Sequence, residues 1–177
     1  MSWIDFDKTR NFVKLVIDQF TVGDNDSRFA IVMFGWQGFV QFDFNKCKDK
    51  ICYRNEVDKI VTNRSSSCTS GGFKAVQEMF KEDAKSNTRK RAVITIIDKE
   101  SDELCDNGEN FNTGVVRQMQ IIKGQQLTSF FGIGVGTQNA EVLQYAMGIS
   151  GHVFPANGFE ELDDKMVQRL RKAMCAP

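Results

Sequence analysis

The chain has 177 residues, 41% of them hydrophobic, enough to bury one core and leaving little room for a second domain. Lysine plus arginine number 23 and aspartate plus glutamate number 23, so charge gives no general drive toward nucleic acid. No apolar run reaches the roughly 18 residues of a membrane span, and Asp5, Asp7, Lys8, Arg10 and Lys14 near the start do not suit a signal peptide.

From Asp5 to Phe20 the apolar residues Phe6, Val13, Val16, Ile17 and Phe20 follow helical spacing, with Phe12 and Leu15 widening the stripe. Arg28 to Phe34 reads as a buried strand and Phe39 to Phe44 alternates as an edge strand does. The short Gly35 to Gly38 link joins the two as an antiparallel hairpin. Lys46 to Lys50 is a charged loop, and a short helix is expected from Asn55 to Val61. The polar run from Asn63 to Gly72 then leads into a helix carrying Phe73, Val76, Phe80 and Ala84. Its N-terminus offers free amides to polar or anionic groups.

Arg91-Ala92-Val93-Ile94-Thr95-Ile96-Ile97-Asp98 is rich in β-branched residues and reads as a strand buried on both faces. Asp98 directly after it falls at the carboxyl edge of the sheet, where open α/β folds bind ligands. The stretch from Lys99 to Phe111 is acidic and irregular. A helix over Asn112 to Lys123, a strand over Leu127 to Val135, a helix around Ala140 to Ala146, a short strand from Gly151 to Pro155 and a closing helix from Phe159 to Met174 complete the chain. In the last, Leu162, Met166, Leu170 and Met174 recur every four residues. This alternation predicts a doubly wound, mostly parallel α/β sheet with one antiparallel edge hairpin and helices on both faces.

The cysteines at 47, 52, 68, 105 and 175 avoid the predicted buried strands and lack paired C-x-x-C metal spacing. Cys47 and Cys52 are spaced for a small disulfide loop, and the pattern favours an oxidising, extracellular compartment. Asn25 and Asn63 head glycosylation sequons in polar connecting segments. Gly132-Ile133-Gly134-Val135-Gly136 superficially invites a dinucleotide-binding reading. The third glycine of that motif is missing, however, so these are structural glycines at a crowded strand end. Cys68 and the sole histidine, His152, fall at opposite edges of the proposed sheet, which argues against a thiol hydrolase.

The order and spacing of Asn11-Phe12-Val13-Lys14, Arg28 to Phe34, Thr69-Ser70-Gly71-Gly72, Ile94 to Asp98, Phe131 to Gly136, His152-Val153-Phe154 and Phe159-Glu160-Glu161-Leu162 resemble the von Willebrand factor A (integrin inserted-domain) family over the whole chain. The resemblance implies a non-enzymatic adhesion module with a metal-ion-dependent adhesion site. By position Thr69 and Asp98 correspond to two of its ligands for Mg2+ (or Mn2+/Ca2+), and Ser70, Lys99, Thr137 and Gln138 fall on loops that would meet a partner. That partner would be collagen, another matrix protein or a cell-surface receptor, with no nucleic acid and no membrane insertion. The family's Asp-x-Ser-x-Ser motif and first strand would fall before Met1, so residues 1–177 are expected to be one N-terminally truncated domain with weak or absent metal binding. Asp5-Phe6-Asp7-Lys8-Thr9 imitates the motif from inside a helix. In the implied topology Cys68 and Cys105 share the carboxyl edge and form a candidate disulfide, and odd Cys175 suits a partner upstream. The alternative reading is a metal-free structural domain for matrix assembly.

Overall fold

A computed structural model describes residues 1–62, 68–83, 90–98, 111–125, 128–136, 143–144 and 152–175. The first helix, α1 (Trp3–Asp18), starts earlier than its apolar periodicity implies because Ser2 caps it: the Ser2 Oγ accepts from the Asp5 amide at 3.1 Å. Asp5 to Thr9 lie inside this helix, as expected.

Strands β1 (Ile31–Phe34) and β2 (Gly38–Phe42) pair antiparallel, with Val32 opposite Val40. Helix α2 (Lys50–Lys59) replaces the shorter helix expected at 55–61. The charged run before it had the look of a loop, but Asp49 caps the helix by accepting from the Cys52 amide at 2.8 Å. A Cys47–Cys52 disulfide with a Cα–Cα distance of 5.6 Å spans this cap, as the spacing predicts. Fully buried Tyr53 sits beneath it, its hydroxyl accepting from the Phe29 amide at 3.2 Å.

Helix α3 (Thr69–Glu82) leads to β3 (Arg91–Ile97); α4 (Phe111–Gln125) leads to β4 (Thr128–Val135), and β5 (His152–Ala156) follows. These three strands form a parallel sheet in the order β3-β4-β5, with Val93 beside Phe130 and Phe131 beside His152. The predicted helix around Ala140 to Ala146 lies outside the described residues apart from 143 and 144. The expected closing helix divides into a 3-10 turn, Phe159–Glu161, and α5 (Asp164–Met174), because Asp163 accepts from the Met166 amide at 3.0 Å and starts a new helix.

Helices cover both faces of the parallel sheet. On one, Phe73 and Phe80 of α3 pack with Val115 and Met119 of α4 against Val93 and Phe130. On the other, Phe12 and Val16 of α1 pack with Met166 and Leu170 of α5 against Phe131 and Ile133. A third cluster joins Phe6 and Ile17 of α1 to Tyr53 and Val57 of α2 and to the hairpin. The α/β class and the antiparallel edge hairpin are as expected, but the hairpin and the parallel sheet are two separate sheets among the described residues.

One expectation for β3 fails. Arg91, Val93, Thr95 and Ile97 are buried, while Ala92 is exposed and Ile94 and Ile96 are only half-buried. The physical reason is a cavity of about 1110 Å³ between β3 and β1, bordered by α1 and α3, which leaves that face of the strand incompletely covered.

Candidate functional site

The orientation of β1 and β3 defines the site. Arg28, just before β1, pairs with Asp83, just after α3, at 2.8 Å, and Arg91, at the start of β3, donates to the Phe80 carbonyl near the same helix end at 3.0 Å. At the opposite end of α3 the Cys68 amide donates to the Gly35 carbonyl at 2.5 Å. Both strands therefore run from the C-terminal end of α3 toward its N-terminal end. That places Asp98, following β3, toward the rim where α3 begins with Thr69. Thr69 and Asp98 also border the same cavity.

The rim is close-packed through glycine. A Cβ on Gly38 would lie 2.7 Å from the Ala75 Cβ and closer still to the Gly71 carbonyl; one on Gly72 would lie 3.0 Å from the Phe34 ring. Only glycine lets the hairpin turn sink onto the first turn of α3. Cys68, Thr69 and Ser70 are buried as a result. Ser70 was expected among the solvated, partner-contacting residues; burial withdraws it from direct contact, with its Oγ 3.5 Å from Cys68 Sγ. Cys68 is a free thiol, and Cys105, its expected partner, lies outside the described residues. Cys175 is an exposed free thiol.

The Asp98 carboxylate is partly exposed, and the N-terminal ammonium of Met1 lies 3.2 Å from its Oδ2. Thr69 and Asp98 together supply one hydroxyl and one carboxylate, against the six or more oxygens that Mg2+ or Ca2+ requires. No group of three or more His, Cys, Asp or Glu able to hold a metal occurs among the described residues. The two predicted ligands do not by themselves make a divalent-cation site.

Sequence reasoning overlooked Trp36. It is 64% exposed at the tip of the β1–β2 turn, and the turn is fixed by the Gly35–Cys68 hydrogen bond and by Gly35 N–H donating to the Gln37 carbonyl at 2.9 Å. A tryptophan flanked by Gly35 and Gly38 in a hairpin link was the available signal, since such a link lies on the surface. Lys99, Thr137, Gln138 and Asn63 fall outside the described residues. Asn25 is exposed in the segment between α1 and β1. Gly136, with φ 92°, occupies the left-handed region that favours glycine, in keeping with a structural role for the glycines there. His152 stacks on Phe131 with centroids 5.5 Å apart, at the start of β5.

At the far end of the cavity Arg28, Asp83 and Arg91 form a charged group. Burial pulls the Arg91 guanidinium below its usual range; Asp83 opposes that shift and Arg28 adds to it.

A strand-to-helix rim of this kind, on this order of elements, has a known counterpart. The family model for the von Willebrand factor type A domain matches residues 1–169. The chain belongs to this family. Its von Willebrand factor type A fold is shared by proximal thread matrix protein 1 from the mussel byssus, which is 20% identical with a TM-score of 0.79 over 97% of this chain and 41% of that one. A structure of the same byssus protein with a zinc-occupied MIDAS motif is 22% identical with a TM-score of 0.80, covering 97% of this chain and 43% of that one. A von Willebrand factor type A structure from Catenulispora acidiphila is 15% identical with a TM-score of 0.73, over 96% of this chain and 38% of that one. The chain thus spans about two fifths of the length of these structures. No curated protein sequence matches it. No helix among the described residues is long and apolar enough to cross a membrane.

Proposed function

We propose that this von Willebrand factor type A domain is a non-enzymatic, extracellular protein-binding module that docks a matrix protein or cell-surface receptor on the rim carrying Trp36 and Asp98. The observation that carries the reading is Trp36: a large aromatic exposed on a turn whose backbone is already held against α3. Rigid, exposed tryptophans are the side chains most enriched among residues that dominate binding energy, because they bury much area at little entropic cost. Asp98 adds a partly exposed carboxylate that can meet a basic partner group. Cation coordination is left out of this contact because Thr69 and Asp98 supply too few oxygens. The Cys47–Cys52 disulfide supports an oxidising compartment.

Fibrillar collagen is the first probe. Binding of the chain to immobilised collagen should weaken at least tenfold in Trp36→Ala and less in Asp98→Asn, with unchanged circular dichroism, and a chelator should leave it unaltered. Equal binding by Trp36→Ala would remove the rim as the docking surface and leave a structural role in matrix assembly as the better reading.

A further inference from the structure

The segment between α1 and β1 holds a motif that the docking rim does not use: Asn25-Asp26-Ser27, a sequon for N-linked glycosylation. Oligosaccharide is attached before the chain has folded, so a site can be kept only where the finished fold leaves room for a bulky, hydrated group. The structure meets that condition. Asn25 is exposed, as are Asp24 and Asp26 on either side of it. The turn around it closes through the backbone: the Ser27 amide donates to the Thr21 carbonyl at 3.0 Å, the Asp26 amide to the Gly23 carbonyl at 3.1 Å and the Gly23 amide to the Ser27 carbonyl at 3.4 Å. None of these bonds uses the Asn25 side chain, so its amide can be substituted without unlocking the turn.

Asn25 also lies at the end of the domain remote from the docking rim. Arg28, just after the sequon, pairs with Asp83 at the C-terminal end of α3, whereas Trp36 follows β1 at the other end. At about 3.3 Å per extended residue, the run from Arg28 through β1 puts roughly 20 Å between the two. A glycan rooted here leaves the Trp36 side chain open to a macromolecular partner.

We propose that Asn25 carries an N-linked glycan, transferred from a lipid pyrophosphate oligosaccharide as the chain enters the secretory route. The Asn25 amide nitrogen forms the bond to the anomeric carbon of N-acetylglucosamine. The bond from that carbon to the pyrophosphate oxygen breaks, its electron pair leaves with the lipid pyrophosphate, and the amide gives up one proton. Ser27 supplies the hydroxyl that the transferase reads two residues along. The inference rests on the extracellular compartment of the proposed function and is independent of the contact at Trp36.

The test digests the protein from its own source with trypsin, which cuts after Lys14 and Arg28 and frees residues 15–28 with Asn25 as their sole asparagine. The sequon at Asn63 therefore does not enter the readout. The bare peptide should be almost absent before treatment, and a peptide N-glycosidase in heavy-oxygen water should release it with Asn25 converted to labelled aspartate. In chains secreted from eukaryotic cells, Ser27→Thr should keep the label and Ser27→Ala should lose it. A bare peptide beside an intact Cys47–Cys52 bridge would overturn the glycan and leave the compartment standing, whereas a bare peptide with Cys47 and Cys52 as free thiols would remove both. Label retained in Ser27→Ala would overturn the proposal as well, since transfer would then not be reading this sequon.

Discussion

On its β4 side, β3 belongs to a closed structure: Phe130 meets α3 and α4, and Phe131 and Ile133 meet α1 and α5, with every contact buried. On its β1 side the same strand borders open volume, and Ile94 and Ile96 are only half-covered. The hairpin is nonetheless held in place, because α1 and α3 each serve both halves. Helix α1 gives Phe12 and Val16 to the parallel sheet and Phe6 and Ile17 to the hairpin and α2; α3 gives Phe73 and Phe80 to the sheet and its glycine turn to the hairpin. Among the described residues, helices that straddle the gap hold the two sheets in one domain without strand pairing between them.

The sharpest break in that comparison is truncation on each side of β3. Leu170→Ala, on the closed side, should cost about 2–5 kcal/mol, whereas Ile31→Ala on the cavity wall should cost clearly less, because its side chain already borders empty space. Urea midpoints of the two variants would check this; equal losses would mean that the cavity is not open in solution.

Next comes the glycine contact that ties the hairpin to α3. Gly38→Ala should cost about 1–3 kcal/mol because its Cβ meets the Gly71 backbone, which cannot rotate away. Gly72→Ala should cost less, since its Cβ would meet the Phe34 Cβ and ring at 3.0–3.1 Å, a milder overlap than the one at Gly38. The ranking of their melting temperatures is the readout.

Opening the Cys47–Cys52 bridge by replacing both residues with serine should cost about 2 kcal/mol, as a sequence separation of 5 closes only a small loop. The loss should appear as earlier hydrogen exchange in α2 than in β4.

Tyr53 gives a smaller, pH-dependent effect on the hairpin side. Burial raises its pKa, with the Phe29 backbone hydrogen bond and nearby Arg28 opposing the shift. The unfolded chain therefore ionises first, so stability is intact below about pH 10 and falls as pH rises beyond it. Tyr53→Phe should flatten that fall while costing about 1 kcal/mol at neutral pH from the unpaired Phe29 amide. The smallest stability change belongs to Trp36→Ala, within about 0.5 kcal/mol because the side chain is exposed, despite its large expected effect on binding.

These contrasts also explain what could be read from the residues alone. Periodicity located α1 and α5 because each carries an apolar stripe on one face, short runs of apolar residues located β3 and β4, and the glycine link between Phe34 and Phe39 announced the hairpin. It misplaced α2, whose early turn is exposed and polar and is set by the Asp49 cap instead. It took β3 as covered on both faces because side-chain type reports what a face can bury, not what lies beside it. At the site, Thr69 and Asp98 were found by position, and both do border one cavity. The burial of Ser70 was missed because it depends on backbone approach at Gly71 and Gly72, a contact between segments far apart in the chain. For Trp36 the signal was the glycine-bounded hairpin link alone, and its exposure on a turn held against α3 is visible only in the structure.

The unbridged Cys68 thiol, sealed beneath that turn while Cys175 stands open to solvent, equips the domain with a stopwatch of its own. A maleimide reaches the sealed sulfur only in moments when the hairpin tip parts from α3, so the ratio of the two labelling rates counts how rarely the rim comes ajar. A ligand clamped over Trp36 would lengthen the interval for Cys68 and leave Cys175 ticking at its usual pace.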